Sequence, residues 1–309
     1  MVIIYTRAIL PIYKTTNITV LYKEAKLRPS EIELNLISQL YTAQTIRLDL
    51  YYPLRIRAKN IIKAREYNYT PDTRFARLIT TLLKIEHINP LAFPPWKIRE
   101  SRAKAEACIN SPINRTKTQA TEDFKAFHAK IPRSDIQIFS DGSKSESKDG
   151  ATGGGFIISQ FDIQIVYYSF SLGINTEVFD AEVTAAVAGA AKALTLVSIK
   201  LATDLWIFLD NHKTALRLGS HFNGSSQRVF EDFLKFTQAW AVRSRLLHTS
   251  PGKIRVRWVP GHLDIPSNEI TDKAAKEGTK LPFPLNPIYI LASLKRMIKI
   301  KTNKANKQL

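Results

Sequence analysis

Leu205-Trp206-Ile207-Phe208-Leu209-Asp210 is an unbroken apolar run that ends on a carboxylate. A run of this kind suits a central strand covered on both faces. Upstream, Glu177 to Lys200 is rich in alanine and reads as one long helix, of a composition that lets a helix lie close on a sheet. Before it, Gly153-Gly154-Gly155-Phe156-Ile157-Ile158 and Ile163-Gln164-Ile165-Val166-Tyr167-Tyr168 read as two strands joined by a short turn. Asp135 to Asp141 reads as a strand ahead of them, so the three form an antiparallel meander. Downstream, Ser225 to His248 reads as an amphipathic helix or helix pair, with Phe230, Phe233, Leu234 and Trp240 on its buried side. Lys253 to Trp258 alternates strictly, as a half-exposed strand with a cationic outer face does. A last helix is expected over Pro266 to Glu277. The order predicts an α/β domain with a mixed five-stranded sheet flanked by helices.

The flanks read differently. Ser30 and Glu33 have the spacing of a capping box ahead of Ile32, Leu36, Ile37 and Leu40, so a helix starts there. Pro90, Pro94, Pro95 and Pro112 break the stretch from Asn89 to Arg115, which reads as a linker or irregular flank. A short helix is expected over Thr121 to Lys130. The expected division is a mainly helical flank over 1–130, the sheet domain over 131–281 and a frayed basic tail over 282–309.

Composition narrows the classes of function. At 309 residues and 44% hydrophobic content the chain has ample material for packed cores. Its single cysteine, Cys108, allows neither an internal disulfide nor a cysteine-based zinc site and points to a reducing, intracellular compartment. No apolar stretch is long enough to span a bilayer, which argues against a membrane role. The N-terminus lacks the small-residue cleavage site of a secretory signal. The formal charge of +18 is unevenly spread: residues 1–130 hold 22 Lys/Arg against 11 Asp/Glu, 131–281 hold 17 against 16, and 282–309 hold 6 against none. A basic chain attracts polyphosphate, yet its central segment keeps its carboxylates. A solvated surface accounts for Glu146, Asp149, Asp162, Glu231 and Asp232.

Four other acids fall where a site would form. Asp141 ends the first strand and Asp210 the central one, Glu182 lies early in the helix that crosses between them, and Asp272 lies in the closing helix. Strand-terminal Asp residues often only cap turns, but four acids on elements that can converge suggest a seat for hard divalent cations, which prefer oxygen ligands.

These residues carry a resemblance. Ile138-Phe139-Ser140-Asp141-Gly142-Ser143 followed by Gly153-Gly154-Gly155-Phe156 resembles the opening hairpin of ribonuclease H domains of the bacterial and retroelement type. Phe179-Asp180-Ala181-Glu182 resembles the helix with the family's metal-bridging glutamate, and Ile207-Phe208-Leu209-Asp210-Asn211 its central strand. Trp258-Val259-Pro260-Gly261-His262 and Asn268-Glu269-Ile270-Thr271-Asp272 resemble its closing signature. The four motifs fall in order over about half the chain. The resemblance implies a ribonuclease H-like fold and hydrolysis of the RNA strand of RNA–DNA hybrids. It implies two Mg²⁺ ions, with Mn²⁺ as an alternative, on Asp141, Glu182, Asp210 and Asp272. It makes His262 a mobile loop histidine that assists proton transfer or product release, and places Gly142, Ser143 and Asn211 at the hybrid's 2′-hydroxyls. Lys213, Arg217, Lys235 and Arg243 are expected along the DNA strand.

Departures from the pattern bear on rate. Asp264 and Ser267 stand where the family usually has glycine, Thr271 where alanine is common, and Val178 where some relatives have a substrate-contacting asparagine. Ala8 to Thr16, the helix after Ser30, and Leu48 to Arg55 resemble the segment between reverse transcriptase and ribonuclease H in fungal non-LTR retrotransposon polyproteins. That implies a fragment once linked to a polymerase. No adjacent Asp-Asp pair occurs, so polymerase activity is not expected. Three other readings remain: a decayed fold that binds nucleic acid without turnover, a purely structural or protein-binding role, and an integrase-like or resolvase-like nuclease. The Gly-rich hairpin and the His262 loop speak against the last.

Overall fold

The computed structural model describes residues 17–66, 74–79, 84–93, 96, 98–109, 115–146, 150–220, 226–261, 265–285 and 287–308. The chain divides into two compact units, one of residues 1–87 with 288–309 and one of residues 88–287.

The second unit holds a five-stranded sheet in the order β3-β2-β1-β4-β5. Its strands are β1 (Ile136–Lys144), β2 (Thr152–Gln160), β3 (Ile163–Gly173), β4 (Leu205–Leu209) and β5 (Ile254–Trp258). β1, β2 and β3 form the antiparallel meander, while β4 lies parallel to β1 and β5 parallel to β4. The expected mixed sheet is thus present. β4 spans the residues read from its apolar run, and Leu205, Ile207, Phe208 and Leu209 are buried.

The helices of this unit are α1 (Ile98–Cys108), α2 (Lys117–His128), α3 (Val178–Ala193), α4 (His212–Gly219), α5 (Gln227–Val242) and α6 (Pro266–Gly278). α3 covers one face of the sheet, where Val183, Ala186, Val187 and Ala190 pack with Ile138, Phe156 and Ile207. The opposite face buries Phe139, Ile157 and Phe208 beneath Phe124 of α2, with Val259 and Ile265. Two carboxylates tie the strand starts together. Asp135 accepts from the Thr203 and Asp204 amides and from Trp206 Nε1, while Asp204 accepts from the Lys253 amide and pairs with Arg255.

Several expectations change. α3 stops at Ala193 instead of running to Lys200: Thr195 turns its hydroxyl back to the Lys192 carbonyl at 2.7 Å, and a 3-10 turn over Val197–Leu201 follows. α5 ends at Val242 because Arg243 leaves the helix to bind the carbonyls of Ala202, Trp240 and Pro251. The stretch expected as a linker contains α1, and Phe93 and Ile109 join the core, so residues 88–130 cluster with the sheet. α2 starts at Lys117, about one turn earlier than the expected Thr121, on a capping box of Thr116 and Gln119.

The first unit is helical. Ser30 is the first residue of the helix Ser30–Arg47, not its cap: Pro29 holds the cap position, and Glu33 pairs with Arg28 instead of closing a capping box. Residues 288–309 are no frayed tail. Leu291–Lys307 is a helix whose Leu294 and Ile298 pack with Leu36, Ala43 and Ile46 of Ser30–Arg47. Glu86 accepts from the Leu291 amide and pairs with Arg47 at 3.0 Å, both side chains largely buried. Of the resemblance to a polymerase-proximal segment, residues 8–16 lie outside the described residues.

Candidate metal centre

β1 and β4 run parallel with Phe139 opposite Phe208, which brings Asp141 and Asp210 to one point. Asp210 follows the last residue of β4, whereas Asp141 does not end its strand as expected: β1 continues to Lys144 because Gly142, Ser143 and Lys144 keep pairing with β2. Glu182 comes from the second turn of α3, which crosses that end of the sheet. Its approach depends on Gly142: a Cβ there would lie 2.5 Å from the Glu182 amide nitrogen and 2.8 Å from Ala181 Cβ. One carboxylate oxygen from each of Asp141, Glu182 and Asp210 falls within 4.8 Å of the other two. Asp141 and Glu182 are buried and Asp210 is half-buried.

Crowded carboxylates away from water resist ionisation. Burial pushes the Asp141 carboxyl up to about 8, with repulsion from Asp210, Glu182 and Asp272 adding to it and the Gly142 amide, at 2.7 Å, opposing it. Burial likewise raises Glu182 to about 7, opposed by hydrogen bonds from Thr214 and Asn211. The donor set consists of carboxylate oxygens only, and their mutual repulsion is what a hard divalent cation would relieve. The residues present therefore fit Mg²⁺ or Mn²⁺.

Supporting groups fix the first three acids. Thr214, fully buried in α4, donates to Glu182 Oε2 at 2.7 Å. Asn211 caps α4, its Oδ1 accepting from the Lys213 amide at 2.9 Å and the Thr214 amide at 3.3 Å. Trp258 Nε1 donates to the Asp210 carbonyl at 2.7 Å, and the Gly261 backbone approaches so closely that a Cβ would sit 3.0 Å from Asp210 Oδ2. Thr214 and Trp258 were not anticipated as supports. Thr214 carried one usable signal, its place three residues after an Asn that follows the strand-end Asp.

The other expected residues divide. Asp272, on α6, lies outside the cluster of three and pairs with Lys276 Nζ at 2.7 Å, though it still raises Asp141. Ser143 is half-buried on β1 and Lys213 is exposed on α4. His262 and Asp264 lie outside the described residues. Two of the cations expected along a DNA strand are engaged internally. Arg217 stacks over the Phe179 and Phe230 rings at 4.9 and 4.5 Å, and Arg243 over Trp240 at 3.7 Å in addition to its backbone carbonyls. Lys235 pairs with Asp232. Glu231, expected on a solvated surface, is buried and accepts from Gln227 Nε2 and the Asn89 amide.

Topology and site together define a mixed-sheet domain with an acidic centre where the parallel strands β1 and β4 meet the second turn of α3. Residues 133–280, just under half of the chain, match the family model described as RNase H, and the five-stranded mixed sheet with its flanking helices is the ribonuclease H-like fold. No curated protein matches the chain. Among solved structures, RNase H1 of the archaeon Halobacterium salinarum is 15% identical, covering 47% of this chain and 97% of that one at a TM-score of 0.34. The prototype foamy virus protease–reverse transcriptase is 16% identical over 48% of this chain and 21% of its own, with a TM-score of 0.37. The compost-derived LC11-RNase H1, solved in complex with an RNA/DNA hybrid, is 15% identical, covering 46% of this chain and 97% of its own with a TM-score of 0.34.

Proposed function

We propose that residues 131–281 form an endonuclease that hydrolyses the RNA strand of RNA–DNA hybrids with two divalent cations. The observation that carries this reading is the convergence of Asp141, Glu182 and Asp210 within 4.8 Å, inside a segment that matches the RNase H family model. Asp141, Glu182 and Asp210 would hold the cations, with Asp272 joining on release from Lys276. When bound, the cations would lower the pKa of an attacking water and stabilise charge on the scissile phosphate and the departing 3′ oxygen. Thr214 holds Glu182 in one orientation, and Trp258 holds the backbone that presents Asp210. Gly142, Ser143 and Asn211 stand beside the acids, where they would meet 2′-hydroxyls. Lys213, exposed at the start of α4, would contact phosphate. His262 would move a proton at the leaving oxygen, giving 5′-phosphate and 3′-hydroxyl ends. The same reading places the chain within an intracellular retrotransposon polyprotein beside a reverse transcriptase, supported by the motifs at residues 30–55 and the lone cysteine.

A second reading, hybrid binding without turnover, draws on Asp272, which is tied to Lys276 outside the cluster. One experiment separates the two. The purified chain is incubated with a labelled hybrid, single-stranded RNA and duplex DNA, each with Mg²⁺ or EDTA. Cleavage confined to the hybrid, dependent on Mg²⁺ and abolished by Asp210→Asn, is expected. Binding without cleavage would favour the second reading, and cleavage of duplex DNA would sink both.

A further inference from the structure

Most of the excess positive charge of the chain belongs to the unit that does not carry the acidic centre. Residues 1–87 and 288–309 hold 20 Lys/Arg against 7 Asp/Glu, whereas residues 88–287 hold 25 against 20. Within the first unit the extreme case is the helix Leu291–Lys307, which carries Lys295, Arg296, Lys299, Lys301, Lys304 and Lys307 and no acid. Its apolar face is fixed: Ser293, Leu294, Ile298 and Thr302 are buried, and Leu294 and Ile298 pack with Ser30–Arg47. Lys299, Lys304 and Lys307, together with Ile300 and Asn303, are exposed. Arg28 Nη2 donates to Asn303 Oδ1 at 3.1 Å, so the Arg28–Glu33 ion pair of the same unit borders this row without adding net charge.

We propose that the exposed lysine row of Leu291–Lys307 is a nucleic-acid-binding surface that tracks a phosphate backbone without reading its sequence. Lys295 and Lys299 stand four residues apart, and Lys301, Lys304 and Lys307 three apart, spacings at which like charges on a helix repel. No carboxylate on the helix offsets that repulsion, whereas a polyphosphate would. Basic amphipathic helices also bind anionic membranes, but they do so by inserting their apolar face. Here that face is buried against Ser30–Arg47, which leaves the lysines for a ligand that needs only charge. A rigid helix presents them at fixed spacing, as contacts to a regular backbone require. The surface rests on the proposed reading only in its choice of polymer. It extends that reading by giving the chain a second hold on nucleic acid, independent of metal and of the 2′-hydroxyl.

The test uses the full chain in EDTA, where hydrolysis is absent. Fluorescence anisotropy with a labelled hybrid and with a labelled DNA duplex of the same length is measured from about 50 to 300 mM KCl. In wild type both ligands bind with steep salt dependence. In the triple variant Lys299→Glu/Lys304→Glu/Lys307→Glu, affinity for both falls about tenfold or more, and the slope of log K against log salt shrinks by ~2 to 3. The triple Gln variant gives a smaller loss in the same direction, and both variants keep the wild-type melting temperature and circular dichroism. An unchanged affinity and slope in the folded Gln variant would overturn the proposal. So would tighter binding to phosphatidylserine vesicles than to either duplex at equal salt, if the same lysines controlled it. Failure of the nuclease reading looks different: no cleavage in Mg²⁺ with this binding pattern intact.

Discussion

Thr214 illustrates how much of the candidate site depends on one uncharged group. Its hydroxyl donates to Glu182 Oε2 and favours the ionised carboxylate. Thr214→Val keeps the shape and removes the donor, a loss of about 1–3 kcal/mol for a buried acceptor left unpaired. The expected result is a several-fold rise in the Mg²⁺ concentration for half-maximal hybrid cleavage, with the fold intact by circular dichroism. An unchanged Mg²⁺ requirement would remove Thr214 from the site. Asp141 and Glu182 also set a pH dependence. Their carboxyls, near 3.8 and 4.5 when unperturbed, are raised in the folded metal-free chain to about 8 and about 7. The folded chain then holds protons that the unfolded chain has released, so the stability they contribute is complete below about pH 4 and is lost as pH rises through 7 and 8. In EDTA, the melting temperature of wild type relative to Asp141→Asn should therefore drop between pH 5 and 9, and Mg²⁺ should restore more of it at pH 8 than at pH 5. A constant difference across that range would contradict the cluster. Glu182 and Asp210 were legible because a strand end and an early helical turn can be located from the chain, and Asp141 because of its strand, although β1 runs on to Lys144. Glu231 was not, because its burial depends on the Asn89 amide, 142 residues away. The internal contacts of Arg217 and Arg243 were hidden for a related reason: most of the rings and carbonyls that hold them come from other segments.

Elements meet at this site through glycine. Gly142 lets α3 settle onto β1, and Gly155 does the same for α6, since a Cβ there would lie 2.4 Å from the Ala275 nitrogen. Both obstacles are backbone, which cannot swing aside as a side chain does. Gly142→Ala and Gly155→Ala should each cost about 1–3 kcal/mol in urea unfolding. Gly142→Ala should also abolish Mg²⁺-dependent cleavage, because the helix it displaces carries Glu182, and wild-type turnover in this variant would refute the packing argument. The Gly-rich hairpin was readable as a strand, and its role in helix docking emerges only once α6 is seen against it. α1 was hidden by the prolines around it, which dominate a local reading although the segment between them is helical. α4 escaped notice because eight residues give little periodicity, and its start rests on a cap from Asn211.

Across the molecule, the helical unit is built from two separated stretches of chain. Leu294 and Ile298 complete a cluster with Leu36, Ala43, Ile46 and Ala58, and Ile85 bridges to Tyr289. A chain ending at Pro287 loses both side chains, each worth about 2–5 kcal/mol when buried. Limited proteolysis of that truncation should cut rapidly within residues 17–87 while leaving residues 115–281 protected; equal resistance of both regions would show that the helical unit stands without its second stretch. The sequence pointed to a boundary near residue 130 and a loose end after 282, because charge and proline content change there. Packing instead assigns 88–130 to the sheet and 288–309 to the helices, a choice made by partners that no local window contains. The same discontinuity imposes an order during synthesis. A ribosome emits residues 17–87 before the sheet unit, and only after that unit the helix that supplies Leu294 and Ile298. The early helices must wait, incompletely covered, for about two hundred residues to be translated, so the sheet can mature on the ribosome before the helical unit closes.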